Sequence, residues 1–343
     1  MISKVLKFCF RNLVGRYTWG IILIIFTIVY IALNMIPYRN NLPKPTGQFN
    51  PVELDTSYKI SKTVYQMWKD KSEPIPSDLT RWQKGCILVN PDYNFKFFYD
   101  SDLFDFVSKN YPQYAPLFYS LYGVYMADMA RVLLVYHYGG IYMDLDFYCH
   151  KPFSCLERIL AQELKNVKSK HLCVVSREPE LHAQLFREKD RVIIQDFYMC
   201  TAKHPFLKWF LDDRMQSFEK GEAGKGPFSY SIEKDIDRYR SSIIKELSSN
   251  SSLSNLIDED FFLAAGDIYE LQEGVLHSLV DSSNSKLWKS CANKKEGSDY
   301  LKSICESVSK NQFFSPIPET IAVHMWSHVY LVLCAFYFIT ILL

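Results

Sequence analysis

Two aspartates one residue apart, Asp144 and Asp146, close the run Tyr138-Gly139-Gly140-Ile141-Tyr142-Met143-Asp144-Leu145-Asp146. Paired carboxylates with open coordination positions suit a hard divalent cation, Mn2+ or Mg2+, that keeps sites for phosphate oxygens. A buried strand over residues 141–145 would deliver both from its carboxyl end, with side chains i and i+2 on one face. Open α/β sheets place their ligands at that end of the strands. Just upstream, residues 127–138 carry apolar side chains at Ala130, Leu133, Leu134 and Tyr138, a helical spacing. Asp128 and Arg131 stand three apart on that helix and project from one side of it. Gly139 and Gly140 stop it, as glycines at helix carboxyl ends do. An isolated Asp-x-Asp is common by chance; the helix, glycine pair and strand ahead of this one give it chemical weight.

The elements that must position these residues follow from the flanking pattern. Thr63-Val64-Tyr65-Gln66-Met67-Trp68 is β-prone, residues 80–89 suit a helix, and Asn94–Tyr99 alternates like a strand. Residues 102–110 then put Leu103, Phe106 and Val107 on one helical face. Strands and helices alternating at this spacing predict an α/β domain with a mainly parallel sheet and helices on both faces. The composition agrees: 48% of the 343 residues are hydrophobic and 15% aromatic, enough apolar surface for a core. A net charge of +1 from 39 basic and 38 acidic side chains gives no basic excess, and so no expectation of a nucleic-acid partner.

The amino-terminal end reads as a membrane anchor. Gly20 to Ile36 is an uncharged apolar run of 17 residues behind Lys4, Lys7, Arg11 and Arg16, with no acid before Glu53. The positive-inside rule keeps that end in the cytosol and translocates the rest. The expected organisation is a cytosolic tail over 1–19, a signal anchor over 20–36, a Pro-containing stem over 37–59 and a catalytic domain over 60–328. An uncharged apolar segment over 329–343 could span the membrane a second time or dock on its surface. In a lumen, Asn250-Ser251-Ser252 is a glycosylation acceptor, and Cys291 and Cys305 could form a bridge. Setting Cys9 and Cys334 aside leaves seven lumenal cysteines out of nine, an odd number.

At its central motif the chain resembles glycosyltransferase family 32, whose members carry a DXD sugar-binding region. They include yeast-type α-1,6-mannosyltransferases, inositol-phosphoceramide mannosyltransferases and relatives of α-1,4-galactosyl- and N-acetylglucosaminyltransferases. The resemblance rests on Ala127-Asp128-Met129-Ala130-Arg131 and the run from Tyr138 to Asp146. It extends through Tyr65-Gln66-Met67-Trp68, Trp82 and Asn90-Pro91-Asp92-Tyr93, and more weakly to His204-Pro205, Gly226-Pro227 and His324-Met325-Trp326. It implies a GT-A fold, a single Rossmann-like nucleotide-sugar-binding domain. It also implies a nucleotide-sugar donor, a divalent metal and retention of anomeric configuration.

On these grounds Gln66, Trp68, Asp128, Arg131, Gly139, Gly140 and Asp144 are expected around the donor, with Trp68 stacked on the base or buried in the core. Asp146 is the first metal ligand, and Asp144 binds ribose or reaches the metal. His324 is a third ligand or a phosphate contact, with His328 a competitor. Asp196 stands where related sequences often carry Asn; contact with the sugar, nucleophilic attack and a structural role all stay open for it. The catalytic set expected is Asp128, Arg131 and Asp196. The whole reads as a type II Golgi glycosyltransferase acting on a glycolipid or glycoprotein, with GDP-mannose, UDP-galactose and UDP-N-acetylglucosamine all open as donor.

Two other readings use the same residues. A haloacid-dehalogenase-type phosphotransferase also has Asp-x-Asp after a strand, but it needs a Thr soon after the second Asp, where Phe147-Tyr148-Cys149 stands. A membrane-tethered sugar-binding protein without catalysis is the other; intact Asp128, Arg131, Asp144 and Asp146 speak against it.

Overall fold

Residues of alternating direction build the central sheet and give it two buried faces. The structure is a computed structural model that describes residues 58–165, 169–180, 182–183, 189, 191–221, 232–248, 267–278 and 318–326. All of them fall within residues 46–343, one of the chain's two compact units. The expected cytosolic tail, anchor and apolar carboxyl-terminal segment, and the stem up to residue 57, lie outside the described residues, as do Gly226, Pro227, Asn250, Cys291, Cys305 and His328. Among the described residues no helix is long and apolar enough to cross a membrane.

The strands are β1 (Thr63–Trp68), β2 (Asn94–Tyr99), β3 (Gly140–Met143), β4 (Phe147–Cys149), β5 (Leu172–Arg177), β6 (Ile193–Cys200), β7 (Asp267–Leu271) and β8 (Ala322–His324). The helices are α1 (Ser77–Val89), α2 (Asp100–Asn110), α3 (Ala115–Ser120), α4 (Val124–Tyr138), α5 (Phe153–Glu163), α6 (Pro205–Glu219) and α7 (Glu233–Ser248). Six strands form one sheet in the order β2-β1-β3-β6-β5-β7, while β4 and β8 form a separate pair.

The sheet is mainly parallel, as expected, but one of its six strands is reversed. β1 runs parallel to β2 and β3, and β5 parallel to β7, but β6 is antiparallel to both β3 and β5. β6 is buried along its whole length, Gln195 and Asp196 included. A strand buried on both faces reads the same in either direction, so periodicity could not report the reversal.

The expected two-sided packing is present. Tyr65, Tyr142, Val175 and Tyr198 face a core shared with Leu103 of α2, Leu133 of α4, Phe210 of α6 and Ile236 of α7. Val64, Ile141, Met143, Val174 and Phe197 point the other way, onto Cys86 of α1 and Phe153, Leu156 and Leu160 of α5. Period-two side-chain direction makes this division. Disulfides join Cys86 to Cys149, tying α1 to β4, and Cys173 to Cys200, tying β5 to β6. Cys155 is a buried free thiol.

Gly139 and Gly140 do more than end α4. Their φ values are 64° and 103°, in the region that favours glycine. A Cβ on Gly139 would lie 2.6 Å from the Ala202 nitrogen, and one on Gly140 2.6 Å from the Thr63 carbonyl oxygen. These contacts let β3 start hard against β1 immediately after the helix.

Candidate active site

β3 ends at Met143, two residues short of the expected strand, so Asp144 and Asp146 occupy the turn into β4. Strand alternation therefore does not align them; backbone hydrogen bonds to other segments do. The Asp144 N–H donates to the Asp196 carbonyl at 2.9 Å, extending the β3–β6 ladder past its last paired residues, Met143 and Phe197. The Met325 N–H donates to the Asp146 carbonyl at 2.8 Å. β4 then pairs antiparallel with β8, Phe147 opposite His324, which sets the His324 ring beside Asp146.

Asp144, Asp146 and His324 each offer a ligand atom, and the three atoms lie within 4.8 Å of one another. His324 Nε2 is 3.1 Å from Asp146 Oδ1, and its Nδ1 is 3.4 Å from Asp196 Oδ2. Burial opposes a charge on this ring, but Asp146 and Asp196 outweigh it and push its pKa up to about 9. The Tyr142 hydroxyl donates to Asp144 Oδ1 at 2.5 Å. Burial raises the Asp144 pKa against the pull of Arg131, with Asp146 and Asp196 adding to the rise.

The acid and base on α4 form the second part of the site. α4 begins at Val124, three residues earlier than expected, and buries both Asp128 and Arg131. Arg131 Nη2 is 3.1 Å from Asp128 Oδ1 and 3.8 Å from Asp144 Oδ1. Its Nη1 donates to the Gln195 carbonyl at 2.5 Å, and the guanidinium lies 4.9 Å from the centre of the Tyr142 ring. Burial pushes the Asp128 carboxyl up to about 7, with Arg131 pulling against the rise. Through Arg131 the helix and the aspartate turn are one electrostatic unit.

Asp196 sits in β6 next to this turn. Its Oδ2 is 2.6 Å from His277 Nε2, and its Oδ1 accepts from Ser176 Oγ at 3.2 Å. Burial raises its pKa, but His277 and His324 outweigh that and hold it below the ordinary carboxylate range. Asp196, His277 and His324 are all buried and form a second trio with ligand atoms within 4.8 Å.

The remaining expected residues have these places. Gln66 is buried in β1, its Oε1 accepting from Gln83 Nε2 at 2.9 Å. Trp68 ends β1 with its ring buried and its indole N–H given to the Glu73 carbonyl at 3.0 Å. Both lie toward the carboxyl end of the strand beside β3. Gly139 and Gly140 are at the other end of β3, in the backbone contacts described above. His277 was missed by the sequence reading, as was the part played by Ser176. His277 follows β7 in Gly274-Val275-Leu276-His277-Ser278, a stretch with no motif to mark it.

Residues 76–165 match the family described as "Glycosyltransferase sugar-binding region containing DXD motif". "Inositol phosphoceramide mannosyltransferase 1" of Schizosaccharomyces pombe is 31% identical over 182 residues, covering 50% of this chain and 50% of that protein. "Mannosyl phosphorylinositol ceramide synthase SUR1" of Saccharomyces cerevisiae is 30% identical over 108 residues, 31% of this chain and 28% of that protein. The chain thus spans about half the length of the curated relatives it matches, or less. Among solved structures, "PaToxG Glycosyltransferase" aligns with 61% of this chain and 80% of its own at 17% identity and a TM-score of 0.36. The family match and the two yeast relatives support the resemblance to glycosyltransferase family 32. Residues 76–165 are thus similar to the DXD sugar-binding region of glycosyltransferases.

Proposed function

We propose that this chain transfers a mannosyl group from GDP-mannose to the headgroup of an inositol phosphoceramide-type lipid, with retention of configuration, on a GT-A fold. The observation that carries the reading is the Asp144, Asp146 and His324 trio joined through Arg131 to the buried Asp128. The names of the yeast relatives supply mannose and the lipid acceptor.

The donor set fits a hard divalent cation, Mn2+ or Mg2+, since two carboxylates and one imidazole converge from a turn and a neighbouring strand. Such a cation, when bound, neutralises charge that builds on the leaving nucleoside diphosphate, more in the transition state than in the ground state. Arg131 keeps its own charge because Asp144 and Asp128 outweigh the effect of burial, so it adds a fixed positive group beside the phosphates. Asp128, near neutrality in its titration, accepts or donates a hydrogen bond to a donor-sugar hydroxyl. The Asp196 carboxylate is engaged by His277, His324 and Ser176, an arrangement suited to holding neighbours in place rather than attacking carbon. Retention then follows from front-face attack by the acceptor hydroxyl, which needs no protein nucleophile.

The two disulfides suit an oxidising lumen. With an anchor over Gly20–Ile36 the site is presented beside a Golgi membrane, where a lipid acceptor resides.

The test is the purified full chain with GDP-mannose, UDP-galactose or UDP-N-acetylglucosamine, each labelled in the sugar, with Mn2+ or with chelator. Acceptors are inositol phosphoceramide in mixed micelles and a glycoprotein. The expected result is metal-dependent labelling of the lipid from GDP-mannose alone. Turnover of a UDP-sugar only would refute the donor, labelling of the glycoprotein only would refute the acceptor, and sugar binding without any turnover would favour the non-catalytic reading.

A further inference from the structure

The cation reading leaves three buried groups without a task. His277 and Asp196 are in contact at 2.6 Å, and Ser176 Oγ donates to the other Asp196 oxygen at 3.2 Å. His277 and Asp196 are both nine-tenths or more buried. Neither lies in the aspartate turn, yet both converge on the face of His324 turned away from Asp146. His324 shows Nε2 to Asp146 and Nδ1 to Asp196, and that Nδ1 has no hydrogen-bond partner at normal distance. The ring is clamped between Phe147, with centroids 4.9 Å apart, and Trp326, at 4.4 Å. It can turn little out of that slot, so the group behind Nδ1 decides what Nε2 presents.

A metal-binding histidine ordinarily donates its second ring N–H to a carboxylate, which fixes tautomer and orientation and strengthens the ligand. We infer that Asp196 and His277 form that second tier: Asp196 takes the Nδ1–H of His324, and His277 with Ser176 holds Asp196 in the orientation that does so. The tier aims Nε2 of His324 at a cation shared with Asp144 and Asp146. Asp196 also accepts the Asp144 N–H on its backbone carbonyl at 2.9 Å, so one residue of β6 positions two of the three ligands. His277 is a positioning residue, touching neither cation nor substrate.

The inference rests on the cation site proposed above, and the experiment separates the two. Mn2+ binding to the full chain is titrated by electron paramagnetic resonance of the free ion, without nucleotide sugar or acceptor. Asp146→Ala should abolish binding; undiminished binding would overturn the cation site and the second tier with it. His277→Leu should weaken Mn2+ binding roughly 10- to 100-fold, the usual effect of removing an outer partner. His277→Gln, which returns an N–H near the position of Nε2, should recover most of that loss. In a His324→Ala background, His277→Leu should have no further effect, because its influence passes through His324. Three results would each overturn the second tier while leaving the cation site standing. They are no change for His277→Leu, an equal loss for His277→Leu with His324 already removed, and a second bound ion lost only with His277. The last would make the Asp196, His277 and His324 trio a metal site of its own.

Discussion

Replacing Arg131 with Met removes a buried cation of similar length and leaves its partners behind. Arg131 is 7% exposed, and its guanidinium binds Asp128 at 3.1 Å, the Gln195 carbonyl at 2.5 Å and the Tyr142 ring face at 4.9 Å. Met keeps the apolar stem but strands the carbonyl and an acid that is 4% exposed. Breaking one side of a buried pair costs about 3–5 kcal/mol. At about 2–4 °C per kcal/mol for a domain of 150–250 residues, melting should fall by roughly 6–20 °C. Asp128→Asn should cost far less, about 1 kcal/mol, because its carboxyl is already pushed toward neutrality and an amide oxygen still accepts from Arg131. The double variant should melt above Arg131→Met, recovering about 1–3 kcal/mol, since position 128 no longer holds a stranded charge. Differential scanning fluorimetry at pH 7.5 in chelator reads all three without any assumption about substrate. A melting point for Arg131→Met within about 2 °C of the parent, or a double variant as low as the two single losses summed, would refute the claim that this pair is structurally coupled.

Two further outcomes test the frame around the site. Gly140→Ala must hold φ near 103° and push a Cβ against the Thr63 carbonyl, so it should cost roughly 2–5 kcal/mol. Gly85→Ala, in α1 with nothing within 4 Å of the new Cβ, should be neutral or gain up to about 1 kcal/mol; equal melting of the two variants would show that β3 does not depend on the close approach. Glu270 accepts from Arg191 Nε at 2.8 Å, from Arg177 Nη2 at 3.0 Å and from Arg240 Nη1 at 3.2 Å. Burial raises its pKa, but these arginines outweigh that and hold it below the ordinary glutamate range. A lowered folded value means the stabilisation is complete above the unfolded pKa of about 4.3 and is lost as pH falls through the folded value. Glu270→Gln should therefore melt well below the parent at pH 7, and the gap should close as pH drops below 4. A gap that stays constant across that range would exclude the charge as its origin.

Much of the site was legible along the chain because its parts are local. Asp128, Arg131, Gly139, Gly140, Asp144 and Asp146 fall within 19 consecutive positions, 128 to 146. Helical spacing, the glycine stop and the acid pair are each signals of a few residues' reach. The alternation of Val64 with Tyr65 and of Ile141 with Tyr142 likewise declares a sheet covered on both faces. What such signals do not encode is which strand lies beside which. Val64 pairs with Ile141 across 77 positions, and the direction of β6 leaves no mark on its fully buried sequence.

The acid pair and its helix were thus determined by residue type and spacing alone. Their geometry was decided by the tertiary structure. The aspartates are aligned by a backbone hydrogen bond from Asp144 to β6 and one from Met325 to Asp146, not by strand alternation. His324 reaches Asp146 across 178 residues through the β4–β8 pair, and His277 reaches Asp196 across 81. A lone histidine carries no periodicity, and its chemistry is set by the atoms that long-range pairing brings within 3 Å or so of its ring. Local sequence can therefore name the carboxylates that attract a cation, while only the folded sheet can say which imidazole completes the site and what holds it there.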